Sequence, residues 1–349
     1  MKFEQYLMQQ LAMHPSMQAQ DIVKLCYQAA YGAEHLLSDL NAARNYLEKE
    51  YAQTEANDIA LYEAISDDVC RLNLAAWKFK NLPTEWLFRL FAASSRIKGG
   101  SKELFSDYLQ TAENIVKQEH TGISTKDWQT YITEYRKSSM SAVHHSSQYR
   151  EHEKPAYRIV NAKYIRLFPL LEQAATQIRE NKVYVIVIDG RAASGKSTMA
   201  EQLHLILGAS IIHMDDFFLP IELRTAERLQ SPGGNVHYER FAEEVLPFLS
   251  LPQRFSYRKF DCGSMDYDGE CVIEPTPFRI VEGSYSCHPQ FGDYADLMVF
   301  SDVSLEEQLR RIRRRNGDEM AEIFRDKWIP LEERYFDFYH ISQKADFIL

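Results

Sequence analysis

Three consecutive residues near the middle of the chain, Gly195, Lys196 and Ser197, have the types needed to hold a nucleoside triphosphate. With Gly190 they complete the spacing G-x-x-x-x-G-K-[ST] within "VIDGRAASGKST", residues 187–198. Glycines let backbone N–H groups wrap phosphate oxygens, and a helix that begins here adds the positive end of its dipole. We therefore predict that Lys196 meets the β- and γ-phosphates of ATP and that the Ser197 hydroxyl is a ligand of Mg²⁺. The expected nucleotide-binding residues are Gly190, Ala193, Ser194, Gly195, Lys196, Ser197 and Thr198.

Three carboxylates follow apolar runs downstream of this loop. Asp215 and Asp216 come directly after "SIIHM", and Glu282 ends "FRIVE". Ligands of open α/β sheets bind at the carboxyl ends of the strands. We expect Asp215 to accept the proton of an attacking hydroxyl or to help hold Mg²⁺, and Glu282 to be a second metal carboxylate. The alternatives are a helix cap or turn for the aspartates and a solvent-exposed strand end for Glu282.

A basic segment, "EEQLRRIRRRNG", lies further along the chain. Arg311 and Arg315 are one helical turn apart, so one helix face presents two guanidinium groups. We expect this helix to act as a lid that brings positive charge to the transferred phosphoryl group. A solvated basic face is the alternative.

The chain changes its pattern near residue 178. Up to that point apolar residues recur at helical spacing, which predicts an all-α domain over residues 1–178 whose function the sequence does not give. From residue 179 onwards, short β-rich runs alternate with helical stretches, which predicts an α/β domain with a parallel sheet over residues 179–349. The strand candidates are "VYVIVI", "SIIHM", "FRIVEG", "DLMVFSD" and "DFIL". The helix "IRLFPLLEQAATQIREN" fits either domain.

The composition narrows the class of protein. The formal net charge of -10 argues against a broad nucleic-acid footprint, and five unpaired-looking cysteines fit a reducing compartment. No long apolar run predicts a membrane span or a secretion signal. We expect a cytoplasmic protein that acts on a small molecule and binds neither nucleic acid nor membrane, and homo-oligomerisation stays open.

The front half offers helix caps, apolar aromatics and a few polar candidates. Asp21, Thr84 and Ser101 stand where N-caps would. The dense aromatics are interpreted as core, and Glu34–His35 as a buried polar pair. The polar candidates include Arg71 and a histidine cluster, for which a surface segment is favoured over a metal site because adjacent histidines point apart. The aromatics are Trp77, Trp86, Phe88 and Phe91, and the histidines are His144, His145 and His152.

The four motifs of residues 183–349 together resemble the uridine kinase branch of the P-loop kinases. "MDDFF" is similar to its Asp-x-Phe signature, "FRIVEGSYS" to its Glu-Gly strand end, "FDC" to its turn near the nucleoside base and "LRRIRRRNG" to its arginine lid. The resemblance implies a five-stranded parallel sheet and Mg²⁺- and ATP-dependent phosphorylation of a primary hydroxyl, with Asp215 as the catalytic carboxylate. It implies an acceptor site at Asp216, Phe218, His237, Tyr238, Phe260 and Asp261.

One departure leaves the acceptor open. Where the family has an aspartate for the ribose hydroxyls, this chain has His237 in "GGNVHYERF". Histidine hydrogen-bonds a diol without supplying a fixed anion. A nucleoside such as uridine leads, and nicotinamide riboside, pantothenate or another hydroxyl compound is the alternative. A GTPase is disfavoured because no Asn-Lys-x-Asp follows a strand. In a hypothesis of another class, the α/β half is a nucleotide-gated switch and the helical half binds a partner.

Overall fold

The structure is a computed structural model that describes residues 3–34, 37, 39–118, 122–178 and 182–349. The chain forms two compact units, which we call unit 1, ending at Phe168, and unit 2, beginning at Pro169. The sequence prediction places the domain change ten residues later, next to residues 179–181, which lie outside the described ranges.

Unit 1 is mainly helical, and its apolar helix faces enclose one core. Helix α2 packs on α1, α6 and α7, burying Ile22, Leu25 and Cys26 completely. The predicted core aromatics Trp77, Trp86, Phe88 and Phe91 are all buried. The helices are α1 Phe3–Met13, α2 Ala19–Tyr31, α3 Leu40–Gln53, α4 Leu74–Phe79, α5 Thr84–Ser95, α6 Lys102–Lys117, α7 Thr125–Lys137 and α8 Ser147–Glu153.

The prediction that the front half is all-α is wrong, because unit 1 contains a three-stranded antiparallel sheet. Its strands are β1 Tyr62–Ala64, β2 Val69–Asn73 and β3 Tyr157–Asn161, in the order β1-β2-β3. Strand β2 lies inside "DDVCRLNLAAWKFK", where a short apolar run cannot be told from a helix by its periodicity. Its partner β3 pairs Val160 with Cys70, ninety positions earlier, a contact that no local pattern reveals.

Of the three predicted N-caps, one is confirmed and two lie inside their helices. Ser101 is the N-cap of α6 and accepts from the Leu104 N–H, as predicted. Thr84 is the first residue of α5. Asp21 is the third residue of α2, where its carboxylate accepts from the Gln18 N–H. His35 of the predicted polar pair lies outside the described residues.

Unit 2 contains the predicted parallel sheet. All five predicted strands are present, in the order β10-β9-β4-β8-β5, and every pairing among them is parallel. The strands of unit 2 are β4 Tyr184–Gly190, β5 Ser210–His213, β6 Phe255–Asp261, β7 Asp266–Ile273, β8 Phe278–Glu282, β9 Leu297–Ser301 and β10 Phe347–Ile348. Strands β6 and β7 form a separate antiparallel hairpin that the sequence did not predict.

Helices connect these strands. The helices are α9 Phe168–Thr176, α10 Lys196–Leu207, α11 Ala226–Gln230, α12 Tyr238–Glu244, α13 Leu246–Leu249, α14 Leu305–Asn316, α15 Asp318–Ile323, α16 Ile329–Tyr339 and α17 Ile341–Lys344. A π-helical turn, Phe324–Trp328, joins α15 to α16.

The strand order determines where chemistry can occur. Strand β4 is central and buried along its whole length, as its Val- and Ile-rich sequence predicts. Strand β8 inserts between β4 and β5, while β9 lies on the other side of β4. Consequently the carboxyl ends of β4, β5 and β8 meet at one edge of the sheet, where ligands of such folds bind.

All five cysteines lie in the described parts of the chain and are free thiols. None of the helices that the structure describes is long and apolar enough to cross a membrane.

Candidate active site

The loop between β4 and α10 has the backbone of a phosphate cradle. Gly190 and Gly195 have φ of 134° and 111°, and Ala193 also lies in the left-handed region at 55°. A side chain at Gly190 would collide with the backbone of Ser301 on β9. Helix α10 then begins at Lys196, so its free N–H groups face the loop. The predicted nucleotide-binding residues are therefore brought together in one turn.

Lys196 is held over this loop. Its ammonium is buried and donates to the carbonyls of Gly190 and Arg191 at 2.8 and 2.9 Å, and to the Ser284 hydroxyl at 3.2 Å. Ser284 in turn donates to Glu332 of α16 at 2.7 Å. These contacts fix the position of the one cation that the motif supplies.

Glu332 contacts the loop and was not among the predicted site residues. Its other carboxylate oxygen accepts from the Ala192 N–H at 3.0 Å, so α16 fixes the shape of the loop. Burial raises the pKa of this carboxyl, and the charge of Lys196 opposes that rise. None of the motifs named in the sequence analysis contains Glu332, because its contacts with Ala192 and Ser284 join residues 140 and 48 positions apart.

A second missed carboxylate lies under the loop. Asp189 is fully buried and accepts from the N–H groups of Gly190, Tyr285 and Cys287 and from the Tyr335 hydroxyl. Burial raises its pKa despite these donors. Asp189 therefore ties the end of β4 to the segment after β8 and to α16.

The predicted metal ligands Ser197 and Glu282 are in contact. The Ser197 hydroxyl donates to one Glu282 oxygen at 3.1 Å, and His213 Nδ1 lies 2.6 Å from the other. The hydrogen bond to Glu282 raises the pKa of His213. Glu282 can end its strand here because Gly283 follows, where any side chain would press on Met214. A hydroxyl and a carboxylate beside a phosphate cradle are the hard oxygen ligands that Mg²⁺ prefers.

The two aspartates after β5 have different environments. Asp216 is buried and accepts from the Tyr257 hydroxyl at 2.9 Å, and Arg240 donates to its backbone carbonyl. Asp215 is exposed, yet the protein around its carboxyl displaces water and raises the pKa. The charge of Glu282 adds to this rise, while Lys196 opposes it. Asp215 is therefore the member of the pair that can exchange a proton with a ligand.

The arginine helix α14 reaches the loop carbonyls with Arg311. Arg311 Nη1 donates to the carbonyls of Ala193 and Ser194 at 3.1 and 3.0 Å, while its Nε donates to Glu307 at 2.7 Å. Arg315 is exposed and donates to Asn316. The structure therefore brings Arg311 to the predicted site and leaves Arg315 outside it.

A cavity of ≈680 Å³ adjoins the loop. Glu332, which contacts the loop, also lines this cavity, and the π-helical turn Phe324–Trp328 forms one of its walls. Most of its lining surface is apolar, and its charged and amide residues are Arg224, Asn235, Asp326, Lys327, Glu332 and Arg334. Mostly apolar cavities with a few polar groups are typical small-molecule sites. The apolar lining includes Phe218, Leu229, Met265, Tyr285, Met320, Trp328 and Leu331.

Of the predicted acceptor residues, Phe218 lines this cavity and the others lie elsewhere. His237 caps α12 by accepting from the Arg240 N–H, and Tyr238 stacks on His288 with ring centroids 5.2 Å apart. Asp261 accepts from the Gly263 and Ser264 N–H groups in the β6–β7 turn, which lowers its pKa.

Phe260 and Asp216, also predicted for the acceptor site, are absent from the lining of the cavity. Phe260 is buried with its ring edge on Tyr267, and Asp216 binds Tyr257 as described above. Cys262, next to Asp261, does line the cavity.

The chain was compared with known proteins. No family model matches it. A possible uridine kinase from Bacillus stearothermophilus is 17% identical with a TM-score of 0.42, covering 54% of this chain and 99% of its own. A candidate fructose transport system kinase from a Silicibacter species is 20% identical with a TM-score of 0.44, covering 53% and 97%. Shikimate kinase from Bacteroides thetaiotaomicron is 18% identical with a TM-score of 0.26, covering 48% and 85%. At these identities and TM-scores, the activity of this chain has to be argued from its own residues.

Proposed function

We propose that unit 2 transfers the γ-phosphoryl group of ATP to a hydroxyl of a small molecule. The observation that carries the proposal is the convergence of Lys196, Ser197, Glu282 and Asp215 at one sheet edge, with Ser197 and Glu282 3.1 Å apart. A loop that only binds nucleotide needs no proton acceptor facing it. Asp215, exposed beside the loop with a raised pKa, supplies one.

The chemistry assigned to the chain is mainly positioning. The loop N–H groups and Lys196 hold the phosphates, and Arg311, already at the loop, faces charge that spreads over the transferred group. Mg²⁺ held by Ser197 and Glu282 would neutralise negative charge on the phosphate oxygens. As the acceptor oxygen bonds to the γ-phosphorus, the bond to the β-phosphate oxygen breaks, ADP leaves with that electron pair, and Asp215 takes the hydroxyl proton.

A nucleoside such as uridine is our first acceptor, held in the ≈680 Å³ cavity with its aromatic base against apolar walls. Nicotinamide riboside, pantothenate or another hydroxyl compound is the second choice. It is favoured by His237, which caps α12 instead of presenting an anion to a ribose diol. Both choices share the reaction and differ only in the acceptor.

The test is ADP release by the purified full chain with ATP and Mg²⁺, with and without uridine, cytidine, nicotinamide riboside or pantothenate. We expect one acceptor to raise the rate and to carry the new phosphate on a primary hydroxyl, as identified by ³¹P NMR. Asp215→Asn should lower kcat by roughly 10²–10⁴-fold. The matched control Asp293→Asn, an exposed residue, should leave kcat unchanged.

Two results would refute phosphoryl transfer: no acceptor raises the rate, or Asp215→Asn matches Asp293→Asn. If the chain then still bound ATP and captured a partner in a nucleotide-dependent way, the switch hypothesis would replace ours.

A further inference from the structure

Unit 1 contains a cavity of ≈730 Å³ whose wall is basic, although the whole chain carries a net charge of -10. Four cationic side chains line it, against two carboxylates. The cations are Lys24, Arg150, Lys154 and Arg158, and the carboxylates are Asp39 and Glu50. A local excess of positive charge of this kind attracts anions.

Both carboxylates already have partners. Asp39 is the N-cap of α3 and accepts from the N–H groups of Asn41 and Ala42 at 2.9 and 3.1 Å. Glu50 is paired with Arg158 Nη1 at 2.6 Å. Lys24, Arg150 and Lys154 are the cations of the wall that these two contacts do not pair.

Arg158 carries an unsatisfied donor. The residue is 8% exposed, and its Nη2 is buried and has no hydrogen-bond partner in the described part of the protein. Its guanidinium lies 5.6 and 5.8 Å from the ring centroids of Tyr46 and Phe91. A buried donor left unpaired is costly, so an acceptor that entered the cavity at this point would be favoured.

Lys24, unlike Arg158, has no anionic partner among the residues that the structure describes. Its ammonium donates to the Val143 carbonyl at 3.2 Å, and no carboxylate of the described ranges lies within ion-pair distance of it. Burial lowers its pKa to about 8, Arg71 lowers it further, and Asp21 opposes both effects. A bound anion would offset the cost of keeping this ammonium charged.

A hydrogen-bonded chain fixes the base of the cavity. His145 Nδ1 lies 2.9 Å from Asp21, and its Nε2 lies 2.6 Å from the Tyr157 hydroxyl. Burial lowers the pKa of His145 to about 4, so the ring is neutral near pH 7. The network then assigns Nδ1–H as donor to Asp21 and Nε2 as acceptor from Tyr157. This arrangement holds the cavity wall in place before any ligand arrives.

The prediction of a surface segment at the three histidines is wrong for His145, which is buried. The residues that the structure describes contain no group of three His, Cys, Asp or Glu side chains that could hold a metal ion. His145 is engaged as above, while His144 lines the cavity beside it.

We propose that this cavity binds a small molecule with an anionic head, either a phosphate monoester or a carboxylate, and an aromatic or other apolar body. The head would lie between Lys24 and Arg158, and the body would pack on Tyr46, Phe91 and Ile159, which line the same cavity. The site lies wholly in unit 1 and does not depend on phosphoryl transfer by unit 2.

The test is isothermal titration calorimetry of the full chain with phenyl phosphate and with benzoate, in a Lys196→Ala background so that the loop of unit 2 does not contribute. We expect at least one of the two to bind and benzylamine, a cation of the same size, not to bind. The stronger of the two anions identifies the head group. Lys24→Gln should weaken binding about tenfold or more, and Arg158→Gln likewise.

The matched control is Lys126→Gln on the exposed face of α7, which should bind as the parent does. If Arg158→Gln does not fold, Lys24→Gln, which breaks only a bond to a carbonyl, decides alone. The proposal is overturned if neither anion binds, if benzylamine binds as well as they do, or if Lys24→Gln binds as tightly as Lys126→Gln.

Discussion

Each unit holds a cluster of charged and hydrogen-bonding side chains, and the two clusters are assembled differently. In unit 2, Lys196 and Ser197 are adjacent in the chain, and Glu282, which Ser197 contacts, ends strand β8. In unit 1, Asp21 meets His145 across 124 residues, and no motif marks either one. A sequence motif arises where the backbone itself holds a ligand, because the required backbone geometry constrains consecutive residues.

The two clusters also differ in how far their carboxylates are hydrogen-bonded within the protein. Asp21 is fully buried and accepts from Gln18, His145 and Ser146, whereas Asp215 remains exposed. We interpret the Asp21 cluster as a support and the Asp215 cluster as reactive.

After Asp215→Asn, the largest effect is expected from Lys196→Ala. It removes the cation that the loop positions, and phosphoryl transfer should fall by roughly 10²–10³-fold, as for the loss of a charge-stabilising donor. Steady-state ADP release measures this. Lys163→Ala, an exposed lysine of unit 1, is the control and should retain full turnover. Equal losses in both variants would place the chemistry outside the loop.

Asp21→Asn should act on stability instead of turnover. It removes a buried charge that accepts several hydrogen bonds, so the free energy of unfolding of unit 1 should fall by about 2–4 kcal/mol. Denaturant unfolding of a Trp328→Phe background reports on unit 1, since the other three tryptophans all lie there. The control is Asp107→Asn on the exposed face of α6. A loss of turnover without a loss of stability would contradict the supporting role.

Arg311→Gln and Arg315→Gln separate the two members of the arginine face. Arg311 donates to loop carbonyls and Arg315 does not, so Arg311→Gln should lower kcat about tenfold and Arg315→Gln by less than about twofold. Both are measured in the same ADP-release assay. A greater loss for Arg315 would mean that α14 moves during turnover.

The smallest effect is a displaced pH profile. Desolvation and Glu282 raise the pKa of Asp215 above its ordinary value of 3.8. A proton acceptor works only when ionised, so kcat/KM should fall as pH falls through this raised pKa, earlier than for an ordinary aspartate. ATP affinity over the same range is the control. If affinity and kcat/KM fall together, the titrating group serves binding and not proton transfer.

Much of unit 2 was predictable because its determinants are local. The five strands of the parallel sheet were visible as short β-rich runs, and the loop was visible as a motif. The supporting residues were not. Ser284 and Glu332 are 48 positions apart, and Asp189 and Tyr335 are 146 apart, so only the folded chain brings them together. The β6–β7 hairpin was missed because half of β7 is polar and exposed.

Unit 1 was less predictable for the same reason. Its strands β2 and β3 pair over some ninety residues, and Asp21 was expected to cap its own helix. The carboxylate does bind the Gln18 N–H, but its main partners, His145 and Ser146, come from the far end of the unit. Helical spacing identifies which face of a helix is buried, but it does not identify the polar group of a distant segment that packs against that face.

The contact between Glu332 and the Ala192 N–H joins residues 140 positions apart. It follows that the phosphate loop cannot be transferred to another protein on its own. Residues 187–198 placed in another β-α scaffold would keep their sequence but lose the Glu332 carboxylate that fixes the loop conformation. A design that transfers this loop must therefore include α16.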